Sequence, residues 1–428
     1  MSKLYRLLLK QHIGNPATPV VKCGDIVKLG QKIAVVNGLG ADLHASVAGV
    51  VKEITPDSIF IEGEVSENDR FESIAETDIL GRIQAAGIVG MGGAGFPAYT
   101  KLSGGIPGGT VIANAAECEP ILTHNIVQIE TSPQDIYRGL LYAMEVSHAA
   151  HGVIAIKETH AKAIAAIKAV IKDERVTVFQ LRDLYPMGEE RAIVREVLDV
   201  LLAPDELPSK ANAVVLNVET LSRIAQAVEL GKPVFSKNLT VAGRLRGGAK
   251  AVPLMDVPIG TRVGDLIDSV GGIDGEYGEI IMGGPFTGHC VIMDDVITKT
   301  TGGIIVTMPF LKEKRKMGLL VCACGANESR MQVIACKMGA EVVAVERCKQ
   351  AVEVRGTLKC LNPGNCPGQA EKVLHLKKAG AEVILIGNCS DCSNTVMAIA
   401  PKLHMPVYHI TDGSLRAMNL HLIRKLSI

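Results

Sequence analysis

Between residues 66 and 228, short uninterrupted aliphatic runs alternate with longer stretches of helical periodicity, and this alternation restricts the fold more than any other feature. "GTVIANAAECEP", "GVIAIKE" and "VTVFQLRD" read as buried strands, and "DIYRGLLYAMEVSHAA" and "HAKAIAAIKAVIKD" as helices. Strands buried on both faces and joined by helices form a parallel sheet covered on both sides, a Rossmann-like layering. Such sheets bind ligands at the carboxyl ends of their strands. Asn114, Glu117 and Glu119 follow one predicted strand, Tyr185 to Glu190 follows another, and Asn217, Glu219 and Thr220 occupy a strand-to-helix turn. Taken singly, each of these groups is also compatible with ordinary helix capping.

Ahead of the first of these strands lies Gly90-Met91-Gly92-Gly93-Ala94-Gly95-Phe96-Pro97-Ala98-Tyr99-Thr100-Lys101. Glycine adopts positive φ and lets a ligand approach the main chain, so Gly90, Gly92 and Gly93 can turn several N–H groups toward an anion such as a phosphate. Lys101 adds a cation where a helix can begin. The spacing is not that of a Walker loop, and a flexible surface turn explains the same letters.

Residues 1–65 read as short strands separated by glycine turns, a small β domain in which His12 and His44 have structural or solvated roles. Residues 229–312 form a third unit, with Gly283-Gly284-Pro285 as a tight turn, and Lys312 to Lys316 reads as a charged linker. Residues 313–428 again alternate, with strands "GLLVCA", "EVVAVE", "EVILIG" and "VYHI", helices between them and an irregular loop after the second strand. The chain is therefore a multidomain α/β protein. Equal numbers of basic and acidic residues, 45 each, argue against nucleic acid as the main partner. The first residues lack the pattern of a signal peptide and no run is long and apolar enough to span a bilayer, so a cytoplasmic location is expected.

Eight of the eleven cysteines fall between positions 322 and 392, which points to redox or metal chemistry rather than a disulfide framework. Cys389-Ser390-Asp391-Cys392 follows a buried strand and opens a helix, whose N-terminus favours a thiolate. Thiol–disulfide cycling by Cys389 and Cys392 is one reading, in which Asp391 raises the neighbouring thiol pKa values. A metal site completed by Cys322 and Cys324, or by Cys360 and Cys366, is the other. Cys336, inside a helical pattern, is expected in the core.

Four motifs, "GMGGAGFPAYTK", "NAAECEP", "YPMGEE" and "NVETL", occur in an order and spacing that closely resemble the flavin domain of the NADH- and FMN-binding subunit of respiratory complex I and of the C subunit of the Rnf ferredoxin:NAD oxidoreductase. The resemblance implies FMN, with Gly90, Gly92, Gly93 and Lys101 around its phosphate and ribityl chain and Asn114, Asn217 and Thr220 as further contacts. It also implies NADH as donor, with Glu117, Glu119 and Glu189 lining the face where the flavin meets the nicotinamide. Met91 departs from the arginine usual in the complex I pattern, which bears on dinucleotide binding. The first unit, with "VKCGDIVKLGQKIA" and "LHASVAGVVKEI", resembles barrel-sandwich domains of the lipoyl type. It lacks a lysine at the carrier tip, so a packing or docking role is expected. Residues 229–312 resemble the SLBB β-grasp module.

Rnf-type chains usually continue into ferredoxin-like cysteine runs, which are not found in this sequence. A cysteine-rich parallel α/β tail behind these three domains resembles the electron-transfer proteins associated with proline reductase. That resemblance implies transfer from NADH through FMN and tail thiols, with Cys389, Cys392 and Glu117 as the reactive groups. The acceptor would be a selenoprotein or thiol reductase acting on D-proline. Two alternatives are an FMN-dependent corrinoid reductase and a non-catalytic docking protein of a reductase complex, and a homo-oligomer is compatible with each.

Overall fold

The computed structural model describes residues 2–65 and 70–424. The expected boundary at residues 65/66 abuts residues outside that range, as does the extreme C-terminus. The first unit pairs β1 (Lys3–Leu8), β7 (Ser58–Glu64), β6 (Ala48–Ile54) and β3 (Ile26–Val27) in one antiparallel sheet, and β2 (Thr18–Pro19), β4 (Lys32–Val35) and β5 (Leu43–His44) in another. Register sets Tyr5 opposite Ile61 and Leu7 opposite Ile59, so one face of each strand supplies a core closed by Ile33, Leu43 and Val51. His12 and His44 are both buried, in keeping with structural roles. This unit packs on its neighbours through its backbone: Arg6 N donates to Gly260 O and Ile13 N to Gly95 O.

The second unit begins with α1 (Ile79–Ala85) and α2 (Ala98–Ser103), which flank the glycine loop. A parallel sheet of order β10-β9-β8-β11 follows, built from β8 (Thr110–Ala115), β9 (His151–Lys157), β10 (Val176–Leu181) and β11 (Ala213–Asn217). Around it lie α3 (His124–Thr131), α4 (Pro133–Ser147), α5 (Ala161–Val170), α6 (Glu190–Leu198) and α7 (Val218–Leu230). Helix α4 starts on Pro133, which needs no N–H partner there, and stops at His148 in the left-handed conformation. Its Ile136, Leu140, Ala143 and Met144 are buried at helical spacing. Gly139 lets α4 lie directly on α7: a Cβ there would sit 1.9 Å from Leu221 O.

A five-stranded mixed sheet, β13-β12-β16-β14-β15, forms the third unit from β12 (Ser236–Gly243), β13 (Lys250–Pro258), β14 (Ile280–Met282), β15 (His289–Val291) and β16 (Gly303–Val306). Helix α8 (Val263–Ser269) buries Val263, Leu266 and Ile267 in its core. The Gly283–Gly288 segment is a turn closed by Gly288 N on Gly284 O. Lys299, from this unit, is almost fully buried and donates to Asp42 O of the first unit and Gly87 O of the second. Burial lowers its pKa to about 7.

In the tail, the parallel strands β18 (Glu341–Arg347), β17 (Lys316–Val321), β21 (Val383–Ile386) and β22 (Val407–His409) lie in that order. They carry α9 (Glu328–Met338), α10 (Ala370–Lys378), α11 (Ser390–Met397) and α12 (Asp412–Ala417). Three expectations need correction. The segment after β18 is a hairpin, β19 (Ala351–Val354) with β20 (Thr357–Cys360), rather than an irregular loop. Cys336 is exposed, because α9 turns Met331, Ile334, Ala335 and Met338 inward and leaves Cys336 on its other side. The 312–316 segment is anchored: Glu313 is buried, accepting from Arg315 and Tyr408, while its N–H donates to Met338 O. Among the described residues no helix is long and apolar enough to cross a membrane.

Candidate flavin and thiol site

Strands β8 and β11 are neighbours, and their register pairs Asn114 with Asn217 at the carboxyl edge of the sheet. Asn217 caps α7, accepting from Glu219 N at 2.9 Å. Asn114 donates to Gly188 O at 2.9 Å and so ties the "YPMGEE" loop to the same edge. The glycine loop closes over Asn217: a Cβ on Gly92 would stand 2.9 Å from its amide nitrogen, whereas Gly93, at φ +108°, has open space on that side. Thr220, fully buried, holds the loop by accepting from Met91 N at 3.0 Å and donating to Val89 O at 3.2 Å. Lys101 reaches Glu190 at 2.5 Å and Val215 O at 3.2 Å. Gly90, Gly92, Gly93, Lys101, Asn114, Asn217 and Thr220 therefore surround one sheet edge, although Thr220 spends its hydroxyl on the loop. Met91 is buried in the domain core.

The three glutamates point to different partners. Glu189 caps α6, accepting from Ala192 N at 2.9 Å and from Arg191 at 3.1 Å. Glu119 receives Phe286 N, Thr287 N and the Thr287 hydroxyl, which places the third unit's turn against this edge. Burial raises its pKa. The buried Glu117 side chain accepts from Asn125 N at 3.1 Å and lies 3.9 Å from His124. Burial pushes its pKa up to about 7, against the opposing pull of Asn125, Lys237 and Lys157. Glu219 is committed elsewhere, forming a buried ion pair with Lys237 and Arg223.

A cavity of about 680 Å³ opens between Gly92 and Gly93 and the third unit's Thr287, His289 and Thr298. Its volume falls in the range of small-molecule sites, though Lys101, Asn114 and the glutamates lie outside its lining.

The tail meets this edge at Tyr185. The ring stacks on Phe286 with centroids 3.6 Å apart, and its hydroxyl donates to Cys324 O at 2.5 Å. Tyr185 N donates to the Ser390 hydroxyl and Ser390 N to Tyr185 O, both at 3.3 Å. Arg195 donates to Asn362 and Pro363 at 2.6 Å. Cys118, within "NAAECEP", packs against the tail's core beside Cys322, Cys389 and Cys392. Burial raises its thiol pKa to about 12.

Seven tail sulfurs converge behind Tyr185. Cys322 has Cys324, Cys348 and Cys392 within hydrogen-bond reach, Cys324 has Cys360 and Cys389, and Cys392 has Cys366 and Cys389. None is joined in a disulfide, and among the described residues no group has the arrangement of a metal site. Cys389 is the N-cap of α11. Hydrogen bonds from Cys324 and then Cys392 lower its pKa to about 4, while Cys392, sharing its proton with Cys322 and its other neighbours, is shifted upward. The expected effect of Asp391 is thus reversed at Cys389, since the carboxylate turns aside to accept from Cys366 N at 2.5 Å. Sequence reasoning missed the parts played by Tyr185, Phe286, Cys118, Cys348 and Gln369. The Gln369 amide donates to Cys348, Cys366 and Cys392, at 3.1, 3.3 and 3.7 Å. Tyr185 and Cys118 lie within motifs and Cys348 within the cysteine-rich stretch, whereas Phe286 and Gln369 carried no local signal.

A glycine cradle closed over a sheet edge, with a lysine and two amides around it, suits a flavin nucleotide, and its relatives make this a flavin-binding electron-transfer protein. Residues 83–226 match the Nuo51 FMN-binding domain and residues 1–68 the RnfC barrel sandwich hybrid domain. The main chain fits FMN: Gly92 has no room for a Cβ and Gly93 presents open backbone, while the Lys101 ammonium is held by Glu190 and Val215 O beside them. FMN is the cofactor of this domain.

The chain belongs to the RnfC family of the ferredoxin:NAD(+) oxidoreductase complexes. It is 33% identical over 318 residues to the RnfC-type component of the Na(+)-translocating ferredoxin:NAD(+) oxidoreductase complex of Acetobacterium woodii, covering 69% of this chain and 71% of that one. The proton-translocating counterpart of Clostridium ljungdahlii is also 33% identical, covering 69% of each. Cobalamin reductase PduS of Salmonella typhimurium is 38% identical over 236 residues, covering 55% of this chain and about half, 51%, of its own length.

Proposed function

We propose that this chain takes electrons from NADH at its FMN domain and passes them to the Cys389–Cys392 pair, for delivery to a thiol or selenol reductase of the D-proline reductase type. The observation that carries the reading is the docking of the cysteine cluster on the "YPMGEE" loop, through Tyr185, Cys324 and Ser390. Bound FMN supplies the exchange between hydride chemistry and onward electron transfer. In this reading Gly90, Gly92, Gly93 and Lys101 hold its phosphate, and Asn114 and Asn217 orient it. Thr220 fixes the loop through Met91 N. Glu117 holds a proton near neutral pH, while Glu119, held by the turn at residues 286 and 287, and Glu189, capping α6, shape the dinucleotide side of the edge through those contacts. The Tyr185–Phe286 stack excludes water between the flavin edge and the sulfurs. Cys389, as a thiolate at a helix N-terminus, and Cys392 form the accepting pair. The third unit is read as the SLBB module, supporting Glu119 from its turn.

The test is anaerobic titration of the FMN-loaded chain with NADH, followed by the flavin spectrum, thiol count and metal content. A yellow, metal-free protein that bleaches and gains thiols is the expected result. A flavin left oxidised sinks the NADH step, and stoichiometric iron or zinc sinks the dithiol step. The similarity to cobalamin reductase favours a second reading, electron delivery to a corrinoid. Cob(II)alamin reduction that survives Cys389→Ser and Cys392→Ser together would select it.

A further inference from the structure

Cys389 and Cys392 are both buried, at 3% and 5% exposure, so neither can meet a protein partner directly. Of the seven clustered cysteines only Cys324 and Cys366 are partly exposed, and Cys324 lies beneath Tyr185 on the flavin side. Cys366 lies at the other end. It follows the Asn362–Gly364 turn, has the exposed Pro367 beside it, and sits within hydrogen-bond reach of Cys392. Its sulfur accepts from Gly368 N at 3.3 Å and from the Gln369 amide at 3.3 Å, and contacts the Thr395 hydroxyl at 3.3 Å. Two N–H donors on one sulfur favour its thiolate, and the Gln369 amide spans from it to Cys392.

We propose that Cys366 is the exit thiol, a further catalytic residue that attacks a disulfide or selenenylsulfide on a partner protein and is resolved by Cys392. This deepens the reading given above and rests on it for re-reduction. The Cys366 thiolate attacks one sulfur of the partner's disulfide; a mixed disulfide forms and the partner's other chalcogen leaves as an anion. Cys392 gives its proton to that anion and attacks the Cys366 sulfur. The Cys366–Cys392 disulfide forms, the mixed disulfide breaks, and the partner departs reduced by two electrons. Cys389 then attacks Cys392, which frees Cys366 and moves the disulfide to Cys389–Cys392, where electrons arrive. Thiolate attack through a mixed disulfide is the ordinary course of such exchange.

The test uses the full FMN-loaded chain with the exposed Cys23, Cys290 and Cys336 replaced by serine, reduced with dithiothreitol and desalted. The probe is dithionitrobenzoate, an aromatic disulfide that releases a yellow thiolate. Without any dinucleotide present, the outcome is independent of NADH, so its failure is distinguishable from failure of the flavin reading. The expected result is a fast release of two thiolates per chain, with peptide mapping finding Cys366 joined to Cys392 in protein quenched early and Cys389 joined to Cys392 in protein quenched late. Cys392→Ser should release one thiolate and retain the adduct on Cys366. Cys366→Ser should slow the fast phase about tenfold or more, the loss expected when the accessible thiolate is removed. An early adduct on Cys324, or a Cys366→Ser protein that reacts as fast as its parent, overturns the proposal. Mapping of the parent protein carries the test even if a variant fails to fold.

Discussion

Glu117→Gln isolates the cost of ionising one buried carboxylate. In the folded chain the Glu117 carboxyl titrates at about 7, against an ordinary 4.5, because burial outweighs the Asn125 N–H and the charges of Lys237 and Lys157. His124, 3.9 Å away, is itself held neutral by burial. That difference corresponds to roughly 3 kcal/mol, taking ~1.4 kcal/mol for each tenfold change in proton affinity. The folded state binds the proton more tightly, so the penalty is absent below about pH 4.5, grows as pH rises and is complete above about pH 7. Glutamine retains an oxygen to accept from Asn125 N and carries no charge to desolvate. The variant should therefore match the wild type near pH 5 and exceed it at pH 8 by up to roughly 3 kcal/mol. For a domain of this size that is a midpoint difference of roughly 5–10 °C. Thermal unfolding of the full FMN-loaded chain, followed by flavin fluorescence at both pH values, measures it. An offset between variant and wild type that is the same at both pH values would refute the reasoning.

Lys101→Met should weaken FMN binding roughly tenfold or more, the loss of one charge-assisted hydrogen bond, read by fluorescence quenching on titration. Unchanged affinity would remove Lys101 from the phosphate site. Gly139→Ala puts a methyl 1.9 Å from Leu221 O and should destabilise the flavin domain by about 2 kcal/mol or more, seen as a lower denaturation midpoint with unaltered tail. Tyr185→Phe keeps the stack on Phe286 but deletes the hydroxyl's bond to Cys324 O, so it should loosen the tail by about 1 kcal/mol. Faster amide exchange around Cys324, with FMN affinity unchanged, is the signature to look for.

The flavin domain was legible because its signals are local. Each motif combines a strand end with a turn, as at Asn114 and at Asn217-Val218-Glu219-Thr220, and the alternation of periods fixed their common edge. The tail's parallel sheet could be read in the same way. What escaped depends on contacts between distant segments. Glu119 looks free in the sequence, yet residues 286 and 287 hold it. Cys336 was misplaced because α9 is weakly amphipathic, and only the packed tail shows which side turns inward. The anchoring of Glu313 needs Tyr408, from a strand at the far end of the tail. Gln369 carries no local sign that its amide will meet three sulfurs.

The Lys299 ammonium joins the first three units through two main-chain carbonyls, at Asp42 and Gly87. The acceptors are main-chain oxygens, yet the joint leaves little room for sequence drift: a Cβ on Gly87, at φ +66°, would stand 2.4 Å from Asp42 O and 2.7 Å from the ammonium, and the Asp42 carboxylate supports the buried charge. The tail is fastened by separate contacts spread along its surface, among them Arg330 on Glu279, Arg195 on Asn362 and Pro363 O, and Ser390 N on Tyr185 O. Such fastenings can be lost or rebuilt one mutation at a time. In the reading proposed above, the first three units are a chassis locked at that joint and the tail is the outlet, so that the same flavin unit can be refitted to a different electron acceptor by replacing its last quarter.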